Sequence, residues 1–446
     1  MRIADYKRYI LELFTMSLPI MMGNVGHTLI GAVDVWVASK YDISTLSAIA
    51  LANAILFCLI FIGIGLLIGI SIIIANKRGE KKPTKKHFIS GIILSQILAL
   101  LIFGTVIISA KLIPYFGFDE SLIPNIQTYM YITSFSIFGM YLYQAIKEFL
   151  LAYEIVNFPN AVILISVVLN AILSWYFVFG GFGFHGFGAV VGIGLATLLV
   201  RMFMGIALVI YTLKLFKRKN DATLFDMDYI KQVIKVGTPI GAAIFIEFLA
   251  YNLITIKAGL DNPLFPAVHN ILLTLVDTAY MVPLSISAAM SIKIGFFNGA
   301  KNLVEIKRYS VVGIIMGCTF MSMCSILFFL KPEMFIGIFS KDKIVFDIAV
   351  GIVPIFSLFV LADGMQVSLS GILKGIKQTK AVTACILSSY WLVGIPLAFY
   401  FAYNMHLQLM GFWLGLTCAV FTIAITETVV IIYQIIQKRK ENYITN

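Results

Sequence analysis

Long uninterrupted runs of apolar residues recur along the whole chain, separated by short polar segments. Each run reaches the roughly 20 residues that an α-helix needs to cross a bilayer core. None alternates in polarity as the strands of an outer-membrane barrel do. The pattern therefore predicts an all-α polytopic membrane protein and excludes a soluble fold. We predict twelve spans, at about 10–37, 46–75, 88–110, 124–151, 159–179, 187–212, 230–257, 265–295, 309–330, 345–371, 380–403 and 409–437.

Composition agrees with the apolar pattern. The chain has 446 residues, of which 60% are hydrophobic and 12% charged, whereas soluble domains average about 25% charged residues. The first apolar run is too long for a signal peptide, so we expect it to be a mature helix. The five cysteines all fall inside predicted spans and show no CxxC spacing, which favours packing over metal binding or redox chemistry.

The basic residues are distributed unevenly between the two sets of alternating loops. One set, which includes both termini, carries 26 Lys and Arg and the other carries 6; with Arg201 inside a span, these account for all 33. The positive-inside rule then places both termini in the cytoplasm of an inner or plasma membrane. The net charge of +11 follows from this topology, so it does not indicate a nucleic-acid partner.

The two halves of the chain are related by an internal repeat. A shift of about 220 residues places Pro19 on Pro239 and Ser71 on Ser291, and a shift of 222 places Gln144 on Gln366. We therefore predict two six-helix lobes, 1–213 and 230–446, joined by a cytoplasmic linker, 214–229. A unit with an even number of spans repeats with the same orientation. The lobes should thus be related by a pseudo-twofold axis along the membrane normal, around a central cleft.

Three of the acidic residues inside predicted spans stand out: Asp34 in the first, Glu247 in the seventh and Asp363 in the tenth. A carboxylate inside a bilayer is costly and marks an ion or substrate pathway by default. Such a group can hold Na⁺ with neighbouring oxygens, or it can take a proton. Either event neutralises it and changes helix packing, which would couple ion entry to substrate release.

These acids occur in motifs that resemble those of the MATE (multidrug and toxic compound extrusion) exporters, NorM-like branch. The resembling stretches are Leu18-Pro19 through Asp34-Val35, Gly237-Thr238-Pro239 followed by Glu247, Pro283 with Gly295 and Gly299, and Asp363-x-x-Gln366 followed by Gly371, Leu373, Gly375 and Thr379. The resemblance covers essentially the whole chain. It implies Na⁺- or H⁺-driven export of organic, often cationic and aromatic, compounds, with Na⁺ held at Asp34 or at Glu247 and Asp363.

The fifth span departs from the family pattern. The family commonly has Asn there, followed four residues later by Asn or Asp, and this chain has Asn170 and Ser174. Both face one side of a helix, and Ser still offers one oxygen. A cation site of Asp34, Asn170 and Ser174 is therefore expected, and the departure leaves open which ion it prefers.

Further polar residues are candidates for the substrate cleft: Asp277, Tyr251, Tyr280, His27 and Gln366. Asp277, near the middle of the eighth span, either attracts cationic substrates or pairs with another helix. His27 falls on Glu247 under the 220-residue shift and is either a packing residue or a proton carrier.

Two other charged residues, Arg201 and Glu427, lie towards the cytoplasmic ends of the sixth and twelfth spans, and we interpret both as structural. Arg201 can extend its charge to the membrane interface.

The leading hypothesis is a secondary antiporter for multidrug or xenobiotic export by rocking-lobe alternating access. The nearest alternative is a lipid-linked oligosaccharide flippase of the same wider superfamily, which would need several Arg or Lys residues for pyrophosphate. An enzyme is not expected, because no span pair carries a catalytic constellation and no loop forms a donor site. We expect no cofactor besides Na⁺ or H⁺ as coupling ion, membrane lipid and small organic substrates as partners, and a monomer.

Overall fold

The described part of the chain folds into α-helices. The computed structural model describes residues 3–181, 183, 185–216, 225–340 and 342–444, with side chains within 6–437. The helices are α1 Ile3–Tyr41, α2 Ile43–Gly79, α3 His87–Leu112, α4 Ile123–Leu151, α5 Asn157–Phe179, α6 Ala189–Leu215, α7 Met227–Asp261, α8 Phe265–Gly299, α9 Leu303–Leu330, α10 Pro332–Ile336, α11 Lys343–Gly375, α12 Thr379–Ser388, α13 Ile395–Phe399 and α14 Gln408–Ile444. Residues 217–224 of the predicted linker, and the basic side chains of Lys438, Arg439 and Lys440, lie outside what is described.

The all-α membrane fold predicted from sequence is confirmed. Eleven helical segments among the described residues are long and apolar enough to cross a membrane. The predicted span that is not among these eleven is the fourth, 124–151, which corresponds to α4; this helix is long enough, with 29 residues, but its sequence is more polar. The short helix α10 was not expected; it begins at Pro332, whose fixed φ suits a first helical turn.

The eleventh span is one continuous helical segment, Thr379–Asn404, with two changes of helical type. It contains π-helical turns at Ser389–Gly394 and Tyr400–Asn404, on either side of α13. Pro396 lies in the first turn of α13 and has no N–H to donate backwards. Wide turns of this kind frequently occur at functional sites.

The chain forms two compact units. One comprises Pro19–Gly241 and is called here the N-terminal unit; the other comprises Met1–Leu18 with Ala242–Asn446 and is called the C-terminal unit. The unit boundaries fall inside α1 and α7, beside the repeated prolines Pro19 and Pro239, and not in the linker. The division into lobes 1–213 and 230–446 stays a prediction.

Corresponding helices pack in corresponding pairs within each unit. In the N-terminal unit, α4 packs against α2, α3 and α6; in the C-terminal unit, α11 packs against α8, α9 and α14. These are the fourth, second, third and sixth spans of each half. The packing therefore follows the repeat that the sequence shows.

The beginning of α7 belongs to the N-terminal unit and is held there by polar contacts. The Tyr229 backbone N–H donates to the Asp226 carboxylate at 3.0 Å, and the Asp226 backbone N–H donates to Ser90 Oγ at 2.9 Å. The first of these bonds lowers the pKa of Asp226 below its ordinary value, and the charges of His87 and Lys77 act in the same direction. The His87 ring stacks on the Tyr229 ring at 4.4 Å.

The beginning of α1 belongs to the C-terminal unit in the same manner. Tyr9 Oη donates to Glu305 Oε1 at 3.0 Å, and Lys293 Nζ lies 3.3 Å from Glu12 Oε2. Tyr309 Oη also donates to Glu12. Because α1 and α7 each contribute to both units, the chain crosses between them inside two proline-containing helices.

We expect Gly237→Ala to lower the melting temperature of the purified protein. A Cβ at Gly237 would overlap the carbonyl oxygen of Leu66 on α2, and overpacking a tight contact costs about 1–3 kcal/mol. Gly104→Ala in α3 is the matched control, because its Cβ would meet no atom within 4 Å. It should leave the melting temperature unchanged or raise it slightly. Equal melting temperatures for the two variants would contradict the close approach of α7 to α2.

Candidate ion-coupling sites

In the N-terminal unit, Asp34 of α1 is buried, with 3% of its surface exposed. Thr197 Oγ1 on α6 donates to Asp34 Oδ2 at 2.9 Å. The side chains of Asn170 and Ser174 on α5 lie beside the same carboxylate, and both are fully buried. The structure thus brings the three predicted residues together and adds Thr197.

This cluster contains polar atoms without hydrogen-bond partners. Asp34 Oδ1, both amide atoms of Asn170 and Ser174 Oγ are buried and unpartnered. Buried polar groups are almost always hydrogen-bonded or bound to an ion or water. Carboxylate, amide and hydroxyl oxygens are the donors that hard cations prefer. The cluster can therefore accept a cation such as Na⁺, or Asp34 can take a proton.

Arg201 lies close enough to act on this site. Its charge acts on Asp34 and on Tyr129, and its Nη1 donates to Ser136 Oγ at 2.8 Å. Tyr129 Oη donates to Asn53 Oδ1 at 3.4 Å. A fixed guanidinium near the carboxylate offsets part of its charge.

In the C-terminal unit, Glu247 of α7 is linked to two tyrosines. Tyr390 Oη lies 3.2 Å from Glu247 Oε1, to which it donates, and 2.9 Å from Tyr251 Oη. Tyr390 is buried and lies in the π-helical turn of the eleventh span. The wide turn presents its hydroxyl to the carboxylate of α7.

Asp363 of α11 belongs to the same electrostatic group. Its side chain is 2% exposed and its Oδ2 has no hydrogen-bond partner. The charges of Glu247 and Asp277 both act on it, while Asp277 itself is exposed on α8. Among the residues that the structure describes, no three His, Cys, Asp or Glu side chains are close enough to form a metal cluster. The arrangement suits one monovalent cation or proton shared by neighbouring carboxylates.

The remaining predicted candidates occupy different places. Tyr280 is half-buried on α8, where the charges of Glu247, Asp277 and Asp363 act on it. Gln366 is buried on α11, one turn from Asp363. His27 belongs to the N-terminal unit, where its ring lies 5.8 Å from that of Tyr143.

Sequence reasoning missed two residues, Thr197 and Tyr390. Thr197 carries no sequence signal, because one Thr in an apolar helix is ordinary. Tyr390 lies in the run Ser388-Ser389-Tyr390-Trp391, an unusually polar stretch for the middle of a span, which could have indicated it. Lys147 and Lys374, which are counted above with the more basic set of loops, lie near the C-terminal ends of helices α4 and α11.

The described residues form twelve long helical segments in two corresponding sets, and each set holds a buried acid, Asp34 or Asp363, with one unpartnered carboxylate oxygen. This arrangement is typical of a polytopic membrane transporter. The chain belongs to the MatE family, which it matches over residues 19–176 and 239–400. The second matched segment begins 220 residues after the first, in agreement with the internal repeat.

Relatives and solved structures agree with this family. The chain is 27% identical over 424 residues to the multidrug resistance protein NorM of Photobacterium profundum, covering 92% of each sequence. It is 28% identical over 420 residues to the probable multidrug resistance protein NorM of Oceanobacillus iheyensis, covering 92% of this chain and 93% of the relative. A MATE structure in the bent conformation superposes with a TM-score of 0.87 at 20% identity, covering 98% of this chain and 97% of the other. The structure of the eukaryotic MATE transporter AtDTX14 superposes with a TM-score of 0.84 at 19% identity, covering 98% of this chain and 99% of the other.

We expect Thr197→Val to destabilise the protein only while residue 34 is an acid. The substitution removes a hydrogen bond to a charged group, which contributes about 1.5–3 kcal/mol. Melting temperatures of Thr197→Val, Asp34→Asn and the double variant form a cycle that measures the coupling. Thr28→Val, whose exposed hydroxyl bonds only its own helix, is the control. Additive effects of the two substitutions would contradict the contact between Thr197 and Asp34.

Proposed function

We propose that this protein exports small organic compounds, many of them cationic and aromatic, in exchange for Na⁺ or H⁺. The observation that supports this most strongly is the group of Glu247, Asp363 and Tyr390: Glu247 is half-buried and accepts a hydrogen bond from Tyr390, and Asp363 is buried with one unpartnered carboxylate oxygen. Buried charges need a partner, and removing the partner is strongly destabilising. A cation that binds and leaves would therefore change the stability of the state that holds it, which is the requirement for ion coupling.

The substrate class follows from the relatives and from the charges inside the helices. The two NorM relatives are multidrug resistance proteins, and four acids, Glu247, Asp277, Asp363 and Glu427, occur within the helices of the C-terminal unit. Such an interior favours organic cations over anions. Aromatic side chains around Glu247 can hold flat cationic rings through their faces.

The mechanism proposed is rocking-lobe alternating access. The lobes 1–213 and 230–446 would expose a central cleft to alternate sides of the membrane, as in transporters built from repeats. In the same proposal the protein is a monomer in the inner membrane of a bacterial cell, with both termini in the cytoplasm, as the distribution of basic residues indicates.

A lipid-linked oligosaccharide flippase is the alternative. Arg201, Lys147 and Lys374 are basic residues within helices whose side chains are buried or half-buried. Arg201 and Lys374 each act on an acid, and Lys147 is adjacent to the buried Glu148. A pyrophosphate site needs basic groups that are free to meet the ligand. The pairing with acids favours the antiporter.

Reconstituted protein should export a fluorescent organic cation from liposomes when a Na⁺ gradient or a pH gradient is imposed, each tested separately. Glu247→Gln and Asp363→Asn should reduce the gradient-driven rate at least about tenfold, because they remove the group that the cation neutralises. Asp34→Asn should weaken it similarly. Glu333→Gln, an exposed acid of α10, is the control. Transport at the normal rate in the Glu247 and Asp363 variants would refute the coupling role, and no response to either gradient would favour the flippase.

Tyr390→Phe should weaken the dependence of transport on the coupling cation without abolishing transport. The phenol oxygen contacts both Glu247 and Tyr251, so its loss removes one ligand or donor from the site. We expect the cation concentration at half-maximal rate to rise about three- to tenfold, the effect of one hydrogen bond. Tyr400→Phe, exposed in the second π-helical turn, should leave this concentration unchanged. A Tyr390 variant with the same concentration dependence as the wild type would exclude the hydroxyl from the site.

A further inference from the structure

Glu427 of α14 is fully buried, with no exposed surface. Its Oε1 accepts a hydrogen bond from Ser370 Oγ on α11 at 2.6 Å, and its Oε2 has no hydrogen-bond partner. A structural acid near a membrane interface would be expected to reach water or a full set of donors. A carboxylate with one unpartnered oxygen in a helix interior instead requires a counter-charge or a proton.

Glu427 faces a polar line of residues on α11. Asp363, Gln366, Ser370 and Lys374 are spaced three, four and four residues apart, so they lie on one side of the helix. The line begins at Asp363, in the acid group described above, and ends at Lys374, in the last turn of α11. It passes Glu427 at Ser370. The coupling acids and Glu427 are therefore joined by a continuous row of polar side chains.

Lys374 is the basic residue of this row and lies one helical turn beyond Ser370, which binds Glu427. Its charge acts on Glu427 and on Glu247. The other titratable groups that act on or are acted on by Glu427 are Glu247 of α7, Tyr280 of α8 and Cys385 of α12. Lys374 is thus a positive charge that can compete with a cation bound at Glu427.

We propose that Glu427 is an additional binding site for a monovalent cation, Na⁺ or H⁺, and that the Lys374 ammonium competes with that cation for the carboxylate. The cation would be held at Oε2, which has no hydrogen-bond partner, while Ser370 Oγ keeps its bond to Oε1.

This inference rests on the proposed exchange of a cation for a substrate. It adds a second cation-binding site within the C-terminal unit to that exchange. The competing explanation is a purely structural hydrogen bond, in which Ser370 and Glu427 hold α11 against α14. The two explanations predict different results for the Glu427→Gln variant. The amide oxygen still accepts the hydrogen bond from Ser370, so a structural role would be preserved, whereas a cation site would be lost.

The test counts cations bound by the purified protein in lipid nanodiscs, with radioactive Na⁺ and, separately, with a pH-sensitive dye that reports proton uptake. Glu427→Gln should bind about one cation fewer per protein than the wild type in whichever assay registers binding. Glu333→Gln, an exposed acid in the same unit, should bind the wild-type number. Loss in the Na⁺ assay identifies Na⁺ as the ligand of Glu427, and loss in the dye assay identifies H⁺. A wild-type count for Glu427→Gln in both assays would overturn the proposal.

Lys374→Met provides a second and opposite readout. Without the competing ammonium, a cation should bind about tenfold more tightly at Glu427, and efflux of the organic substrate should slow because the loaded state persists. Lys331→Met, an exposed lysine, should change neither quantity. Weaker cation binding in Lys374→Met would overturn the competition between Lys374 and the cation. This measurement still tests the proposal if Glu427→Gln fails to fold. If the wild type binds cations but does not couple their binding to transport, the proposed function is refuted and the cation site at Glu427 is not.

Discussion

The free-energy cost of enclosing a carboxylate among apolar helices determines which side chains surround the acids of this protein. Asp34, Glu247, Asp363 and Glu427 lie in helices with apolar surroundings, where an ion without a partner is destabilising by several kcal/mol. Hydroxyl groups offset part of this cost: Thr197 donates to Asp34, Tyr390 to Glu247 and Ser370 to Glu427. One carboxylate oxygen each of Asp34, Asp363 and Glu427 remains without a hydrogen-bond partner.

In each unit a basic side chain within a helix acts on an acid. Arg201 acts on Asp34 in the N-terminal unit, and Lys374 acts on Glu247 and Glu427 in the C-terminal unit. The two are not equivalent: the Arg201 guanidinium donates to Ser136, whereas a lysine carries its charge on a flexible stem.

The two units share their long helices α1 and α7. The first part of α1 is fixed by Tyr9 and Glu12 to the C-terminal unit, and the first part of α7 is fixed by Asp226 and Gly237 to the N-terminal unit. Asp34 and Glu247 lie further along these same two helices. A change in charge at either acid is therefore placed on an element that contributes to both units. This arrangement agrees with a mechanism in which ion binding and helix geometry are linked.

The sequence by itself determined the membrane fold, the twelve spans, the repeat and the identity of the main acids, because length, hydropathy and charge are local properties of a helix that crosses a bilayer. It also grouped Asn170 with Ser174, since helical spacing fixes one face. It could not show that Thr197 reaches Asp34 from 163 residues away, that Tyr390 meets Glu247, or that the unit boundaries fall inside α1 and α7. Nor could it show that Glu427, interpreted as a structural residue, is wholly enclosed beside Ser370. Those facts depend on which faces of distant helices meet, and only the packed tertiary structure decides that.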